Sequence, residues 1–170
     1  SDHEVKSVYY IRESFVEKSL PEFIRGVHRH LIGFSCNTFN REAVRKSILI
    51  AKAVDNNVKI LIGGVHATYL YQQMIDDYGA DYVVLGEGER TLPELCKSME
   101  YGDDLKKVCG VAFKREGKII VTNPRNKIAD LDDIDPPDYS FAKDLITSAN
   151  MGWIITSRGC PVCCSFCSTG

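Results

Sequence analysis

Short apolar runs rich in β-branched residues recur along the chain: VKSVYYI (5–11), HLIGFS (30–35), VKILIGG (58–64) and DYVVLGE (81–87). The segments between them carry helical periodicity. Val44, Ile48 and Ala51 fall on one face with Val54 next along it, and Leu70, Met74 and Tyr78 repeat the pattern in the following segment. Strands alternating with helices predict βαβ units and a parallel sheet. SLPE (19–22) and TLPE (91–94) both have the form of a capping box, which predicts helix starts at each. Asn40 is a candidate N-cap for the helix after it.

Beyond the helix near residues 92–99 the pattern changes. VCGVAF-KREG-KIIVT (108–122) predicts a β-hairpin with Gly117 in the turn. The next stretch, 123–144, holds five aspartates between Asp130 and Asp138 and the pair Pro136–Pro137, the composition of a solvated linker. GWIITS (152–157) then predicts a new strand. The organisation expected is therefore an α/β domain over 1–107, hairpin and linker over 108–150, and the start of a second domain over 151–170. Four parallel strands are few for a doubly wound sheet. A further strand–helix unit is expected in front of the chain, and most of a second domain behind it.

Composition narrows the classes. The chain has 170 residues, 44% of them hydrophobic, enough for one sizeable core. Lysine and arginine (21) nearly balance aspartate and glutamate (23), and no basic block invites nucleic acid. The apolar runs are too short to span a bilayer. The start lacks the basic-then-apolar pattern of a signal peptide, so a cytoplasmic location is expected.

In that setting seven cysteines do not read as a disulfide framework. Cys36, Cys96 and Cys109 are scattered beside apolar residues and are expected to be buried thiols. The other four crowd into CPVCCSFC (160–167). Zinc knuckles separate their two C-x2-C pairs by a spacer, and none exists here. A redox dithiol uses two cysteines and leaves two idle. Bacterial ferredoxins place proline after the last cysteine, whereas here Pro161 follows the first. Cys160, Cys164 and Cys167 instead form C-x3-C-x2-C. Three thiolates hold three irons of a [4Fe–4S] cube and leave the fourth open to a small chelating molecule. Cys163 is an extra thiol that competes for the same role.

That spacing, led by TSRGCP and followed by the aromatic of SFC, resembles the radical S-adenosylmethionine enzymes. The resemblance implies that the open iron binds S-adenosylmethionine and that an electron from the cluster cleaves its sulfonium bond to give a 5′-deoxyadenosyl radical. It also implies that Phe166 packs on the adenine and that an external electron donor, such as flavodoxin or ferredoxin, reduces the cluster. HEVKSVYYI, LIGFSCNTFN, ILIGGVHAT, DYVVLGEGERTLPEL and LDDIDPPDYS together resemble the front domain of the cobalamin-binding branch of this family. That branch includes class B methyltransferases and the anaerobic magnesium-protoporphyrin ester cyclase.

The implied fold is a Rossmann-like, flavodoxin-like sheet of the cobalamin-binding type, joined to a partial TIM barrel. The implied cobalamin contacts are Ser35, Asn37, Thr38, Gly63, Gly64, His66, Gly86, Glu87 and Gly88. All lie in loops after strands, on the edge where open parallel sheets bind ligands. Gly63–Gly64 would let a ligand approach the backbone. Asn37 departs from the Ser-x-Leu pattern of these domains, and no D-x-H-x-x-G motif is present to ligate cobalt. Two readings therefore stand: a cobalamin-dependent radical enzyme, or the same fold with the cobalamin site lost and the front domain binding substrate or a partner. Substrate contacts are expected in the second domain, and this chain alone is expected to be inactive.

Overall fold

The computed structural model describes residues 13–25, 31–139, 155–162 and 164–167. The expected strand at 5–11 and Cys163 lie outside the described residues. Among those described, the chain divides into two compact units after Lys127.

The first unit is an α/β sheet. Helix α1 (Glu13–Arg25) precedes strand β1 (Leu31–Ser35). Then follow α2 (Arg41–Val54), β2 (Lys59–Gly63), α3 (Val65–Tyr69), α4 (Tyr71–Asp76), β3 (Tyr82–Val84) and α5 (Thr91–Tyr101). The hairpin strands β4 (Val111–Arg115) and β5 (Lys118–Val121) close the unit. The strands lie side by side in chain order. β1, β2 and β3 are parallel, whereas β4 runs antiparallel to β3 and to β5. The sheet is therefore mixed rather than wholly parallel. The hairpin continues it because β3 offers an unpaired edge, and a tight turn reverses the chain without a crossover helix.

Side chains alternate across the sheet. Ile60, Ile62 and Val83 enter one buried cluster with Val44, Ile48 and Ala51 of α2 and Met74 of α4. Leu61 and Val84 enter another with Leu95 of α5, Val111 and Phe113. Both faces of the sheet are thus covered, which is why β2 reads as an unbroken apolar run. Each fully buried aliphatic side chain stabilises the unit by about 1.5–3 kcal/mol.

Local signals were met unevenly. The α2 periodicity is realised as drawn, with Val44, Ile48 and Ala51 buried. In the next segment Met74 and Tyr78 are buried, but Leu70 is exposed at the joint between α3 and α4. Glu116 and Gly117 both take positive φ (53° and 75°), the two-residue turn that matches strand twist. SLPE is not a helix start, because Ser19 and Pro21 lie inside α1, where Leu20 and Ile24 supply the buried face. TLPE does open α5, but its side chains look elsewhere. The Thr91 hydroxyl accepts from Arg125 Nε at 2.7 Å, and the same guanidinium pairs with Glu94. Asn40 precedes α2 without a side-chain cap bond.

In the second unit the linker has one short turn, Leu131–Asp133, where the Asp130 side chain accepts from Asp132 N at 3.0 Å. Of the strand expected at 152–157, only 155–157 are described, and they carry no strand pairing. A strand needs a neighbour, and none of the described residues offers one. No helix among the described residues is long and apolar enough to cross a membrane.

Candidate functional site

Parallel pairing aligns the strand ends. Ser35 lies opposite Gly63 in the register of β1 and β2, so the loops after them start side by side. The backbone then welds the two loops. Cys36 N donates to Gly63 O at 2.8 Å, and His66 N donates to Cys36 O at 3.2 Å. A side-chain bond joins them again, with Thr38 Oγ1 and His66 Nδ1 3.2 Å apart. The third loop is held to the second by Thr68, whose hydroxyl donates to Gly64 O and accepts from Gly86 N, both at 3.0 Å. Ser35, Thr38, Gly63, Gly64, His66 and Gly86 are therefore gathered on one edge. Glu87 and Gly88 continue the third loop into α5. Thr91 Oγ1 reaches Glu87 O at 3.3 Å, and Leu92 N donates to Gly88 O at 2.8 Å.

The structure gives Gly64 a different task from the one read in the sequence. Its φ is +100°, and a Cβ there would lie 2.6 Å from Cys36 O. The missing side chain makes room for the neighbouring loop. Gly86, at φ +75°, has nothing within 4 Å of its would-be Cβ and is the open glycine of the edge.

Asn37 acts on its own loop. Its Oδ1 accepts from Phe39 N at 2.9 Å and Asn40 N at 3.0 Å. Asn40 returns the bond, with Oδ1 accepting from Asn37 N at 2.8 Å and Nδ2 donating to Ser35 O at 2.9 Å. This reciprocal turn takes the place of the N-cap expected of Asn40. It also holds Phe39, a residue the sequence reading passed over, 99% exposed at the loop tip. The signal available was an aromatic between two turn-forming asparagines.

One polar atom on this edge is unsatisfied. His66 Nε2 is buried and has no hydrogen-bond partner. Such an atom costs about 1–3 kcal/mol unless something completes it. Cys36, buried beneath the edge, has its thiol pushed up by burial, which outweighs the nearby Arg41. Burial likewise raises the Cys96 thiol. Cys96 and Cys109 are half-buried rather than buried.

The cluster loop is described by itself. Cys160, Cys164 and Cys167 are exposed, as is Phe166, and Cys167 N donates to Cys164 O at 3.1 Å. Among the described residues no three His, Cys, Asp or Glu side chains converge as a metal site. The iron assignment therefore rests on spacing and donor chemistry.

A cavity of about 390 Å³ opens at the other end of the strands, lined by Lys59, Asp81, Tyr82, Phe113, Lys114 and Arg115. Its charges are already paired: Lys59 with Asp81 at 3.0 Å, Lys114 with Asp76 at 2.7 Å and Arg115 with Asp104 at 3.4 Å. The strand-end loops, not this cavity, hold the unsatisfied group.

Known proteins agree on the front unit. A family model, the B12 binding domain, matches residues 2–96. An uncharacterized methyltransferase of Pyrococcus horikoshii is 30% identical over 99% of this chain and 38% of its own length. The anaerobic magnesium-protoporphyrin IX monomethyl ester cyclase of Synechocystis sp. is 34% identical over 81% of this chain and 28% of its own. The chain thus spans less than two fifths of these relatives. The fold is similar to that of the cobalamin-dependent S-adenosylmethionine radical enzyme OxsB in its apo form. That match has a TM-score of 0.64 at 19% identity, over 85% of this chain and 20% of the other. The radical S-adenosylmethionine methyltransferase TsrM from Kitasatospora setae gives 0.56 at 19% identity, over 65% and 22%. With the family model covering more than half of its residues, the chain belongs to the B12-binding domain family.

Proposed function

We propose that this chain is the cobalamin-holding front domain and the cluster loop of a radical S-adenosylmethionine enzyme that performs methyl transfer or related radical chemistry. The observation that carries the reading is the welded strand-end edge within a B12-binding domain. It combines an open glycine at Gly86 with a buried, unpaired His66 Nε2, as expected of a surface completed by a ligand rich in amides. Ser35, Thr38, His66 and the 86–88 loop would hold cobalamin, and Cys160, Cys164 and Cys167 would hold a [4Fe–4S] cluster. When bound, the cluster supplies the electron that cleaves S-adenosylmethionine, and cobalamin supplies a methyl carrier. The chain's own residues bind and orient. Thr38 fixes the His66 ring through Nδ1, which leaves Nε2 for the ligand. Thr68 fixes Gly86. An electron donor such as flavodoxin or ferredoxin would serve the cluster.

Three experiments test this. Hydroxocobalamin is added to the chain and the excess removed by gel filtration; retained colour is expected. The full-length protein is reconstituted anaerobically with iron and sulfide, then given S-adenosylmethionine and reductant. Formation of 5′-deoxyadenosine is expected, and its absence would end the reading. Cys163→Ala should keep the iron and Cys164→Ala should lose it; equal loss would contradict the ligand set.

Two observations favour a second reading, in which the cobalamin site is lost and the domain docks substrate or a partner. The space at Gly64 is spent on the Cys36 backbone, and the Asn37 carbonyl on its own turn. A colourless protein after gel filtration would select it.

A further inference from the structure

Phe39 is 99% exposed. Leaving a phenylalanine in water forgoes about 1.5–3 kcal/mol of burial. The loop that carries it is nevertheless built with care. Four hydrogen bonds between Asn37, Asn40 and the backbone fix the turn on both sides of Phe39. Arg41 Nη1 adds a bond to Thr38 O at 2.6 Å. None of these bonds uses the Phe39 side chain, so any polar residue would complete the same turn. Folding alone gives no reason for an aromatic there.

The position is not isolated. Thr38, next in sequence, bonds to His66 on the second loop, and Val65 is the residue before His66. Val65 is 51% exposed, and Tyr69 and Leu70 on α3 and at its end are exposed as well. Single exposed apolar residues are ordinary, but Phe39 and Val65 each adjoin one partner of the Thr38–His66 bond, beside a buried atom left unsatisfied, which points to an interaction surface. A small polar ligand or a lone ion would make no use of it. A broad, rigid, largely apolar ring would.

We propose that Phe39 is the wall on which the corrin ring of cobalamin packs, with Val65 extending the same surface; this rests on the cobalamin reading above. The commitment to a corrinoid follows from the family to which residues 2–96 belong and from the bond by which Thr38, beside Phe39, reaches the unsatisfied His66.

The test titrates the chain, Phe39→Ala and Phe39→Trp with hydroxocobalamin by absorbance, with thermal melting and sedimentation in parallel. Phe39→Ala should weaken binding about tenfold or more, and Phe39→Trp should stay within about twofold of the parent. The ligand-free Phe39→Ala protein should melt with the parent, since the side chain packs on nothing. Equal affinities of parent and Phe39→Ala would overturn the proposal. A lower melting temperature without ligand would also overturn it, by making Phe39 a packing residue. So would a parent dimer that Phe39→Ala dissolves, because the occupant would then be a second copy. A parent chain that retains no cobalamin sinks the cobalamin reading itself, an outcome visible before any variant is made.

Discussion

The two ends of the parallel strands are built on different rules. At the end where β2 and β3 begin, charge closes the structure. The Asp81 carboxylate accepts from Lys52 Nζ at 3.1 Å, Lys59 Nζ at 3.0 Å and Ile60 N at 2.9 Å. Burial alone would raise its pKa. The Ile60 amide and the two ammoniums outweigh that and hold the carboxyl below its ordinary 3.8. The hydrogen bond to Asp81 in turn raises Lys59. At the end where the strands finish, glycines, hydroxyls and backbone amides join three loops, and His66 Nε2 and Phe39 are left without partners. One end spends its chemistry on stability. The other ties its loops together by hydrogen bonds and leaves polar and apolar groups unused, the arrangement a binding edge would need.

The sharpest way to break this contrast is Gly64→Ala. The added Cβ meets the Cys36 backbone, and φ +100° suits no L side chain. A loss of about 2–4 kcal/mol is expected in denaturant melts, with the loop edge disrupted. Gly86→Ala has only the positive φ against it and should cost about 1 kcal/mol. Similar losses at the two glycines would mean that the loop weld is not what Gly64 serves.

Next in size is Asp81→Asn, which should cost about 1–2 kcal/mol, less than a fully buried pair because Lys59 is half exposed. The sign of the pH effect follows from a depressed native pKa. The stabilisation is complete above the ordinary carboxylate value and is lost as pH falls below 3.8 through the native value. The parent should show this acid-side loss in melting temperature, and Asp81→Asn should show less of it. Hydroxocobalamin retention should be unchanged, because the substitution lies at the far end of the strands.

Thr68→Val removes the acceptor for Gly86 N and should cost about 1 kcal/mol. Its larger effect is expected on cobalamin affinity, through a looser third loop. The smallest stability effect is expected from His66→Asn, within about 0.5 kcal/mol. It gives up the Thr38 bond but also removes a buried unsatisfied atom. Its cobalamin affinity should fall. A large stability loss with binding intact would place His66 among the structural groups and erase the contrast between the two ends.

The periodicities of α2 and of the strands were legible because burial on two faces of a sheet leaves a direct imprint on side-chain type. Gly117 was legible because its turn needs a left-handed residue. The capping boxes were legible only in part: TLPE does open α5, without a cap bond, and SLPE opens nothing. Whether Thr91 caps a helix or receives Arg125 depends on a residue 34 positions away, and SLPE is helix interior only because Leu20 and Ile24 have a core to enter. That Ser35, Thr38, Gly63 and His66 share one edge could be read from their places after strands. The turn that presents Phe39 could not, since an exposed aromatic carries the same letter as a core one.

Local pattern by itself determined the α/β class, the edge on which the loops gather and the C-x3-C-x2-C spacing of the cysteines. These depend on spacing and side-chain type within a few residues. Tertiary structure alone decided that the hairpin extends the sheet, that Gly64 yields its space to Cys36, and that Asp81 binds one end while His66 Nε2 stays unpaired at the other. Those outcomes turn on distances of a few ångströms between residues far apart in the chain, which no local pattern encodes.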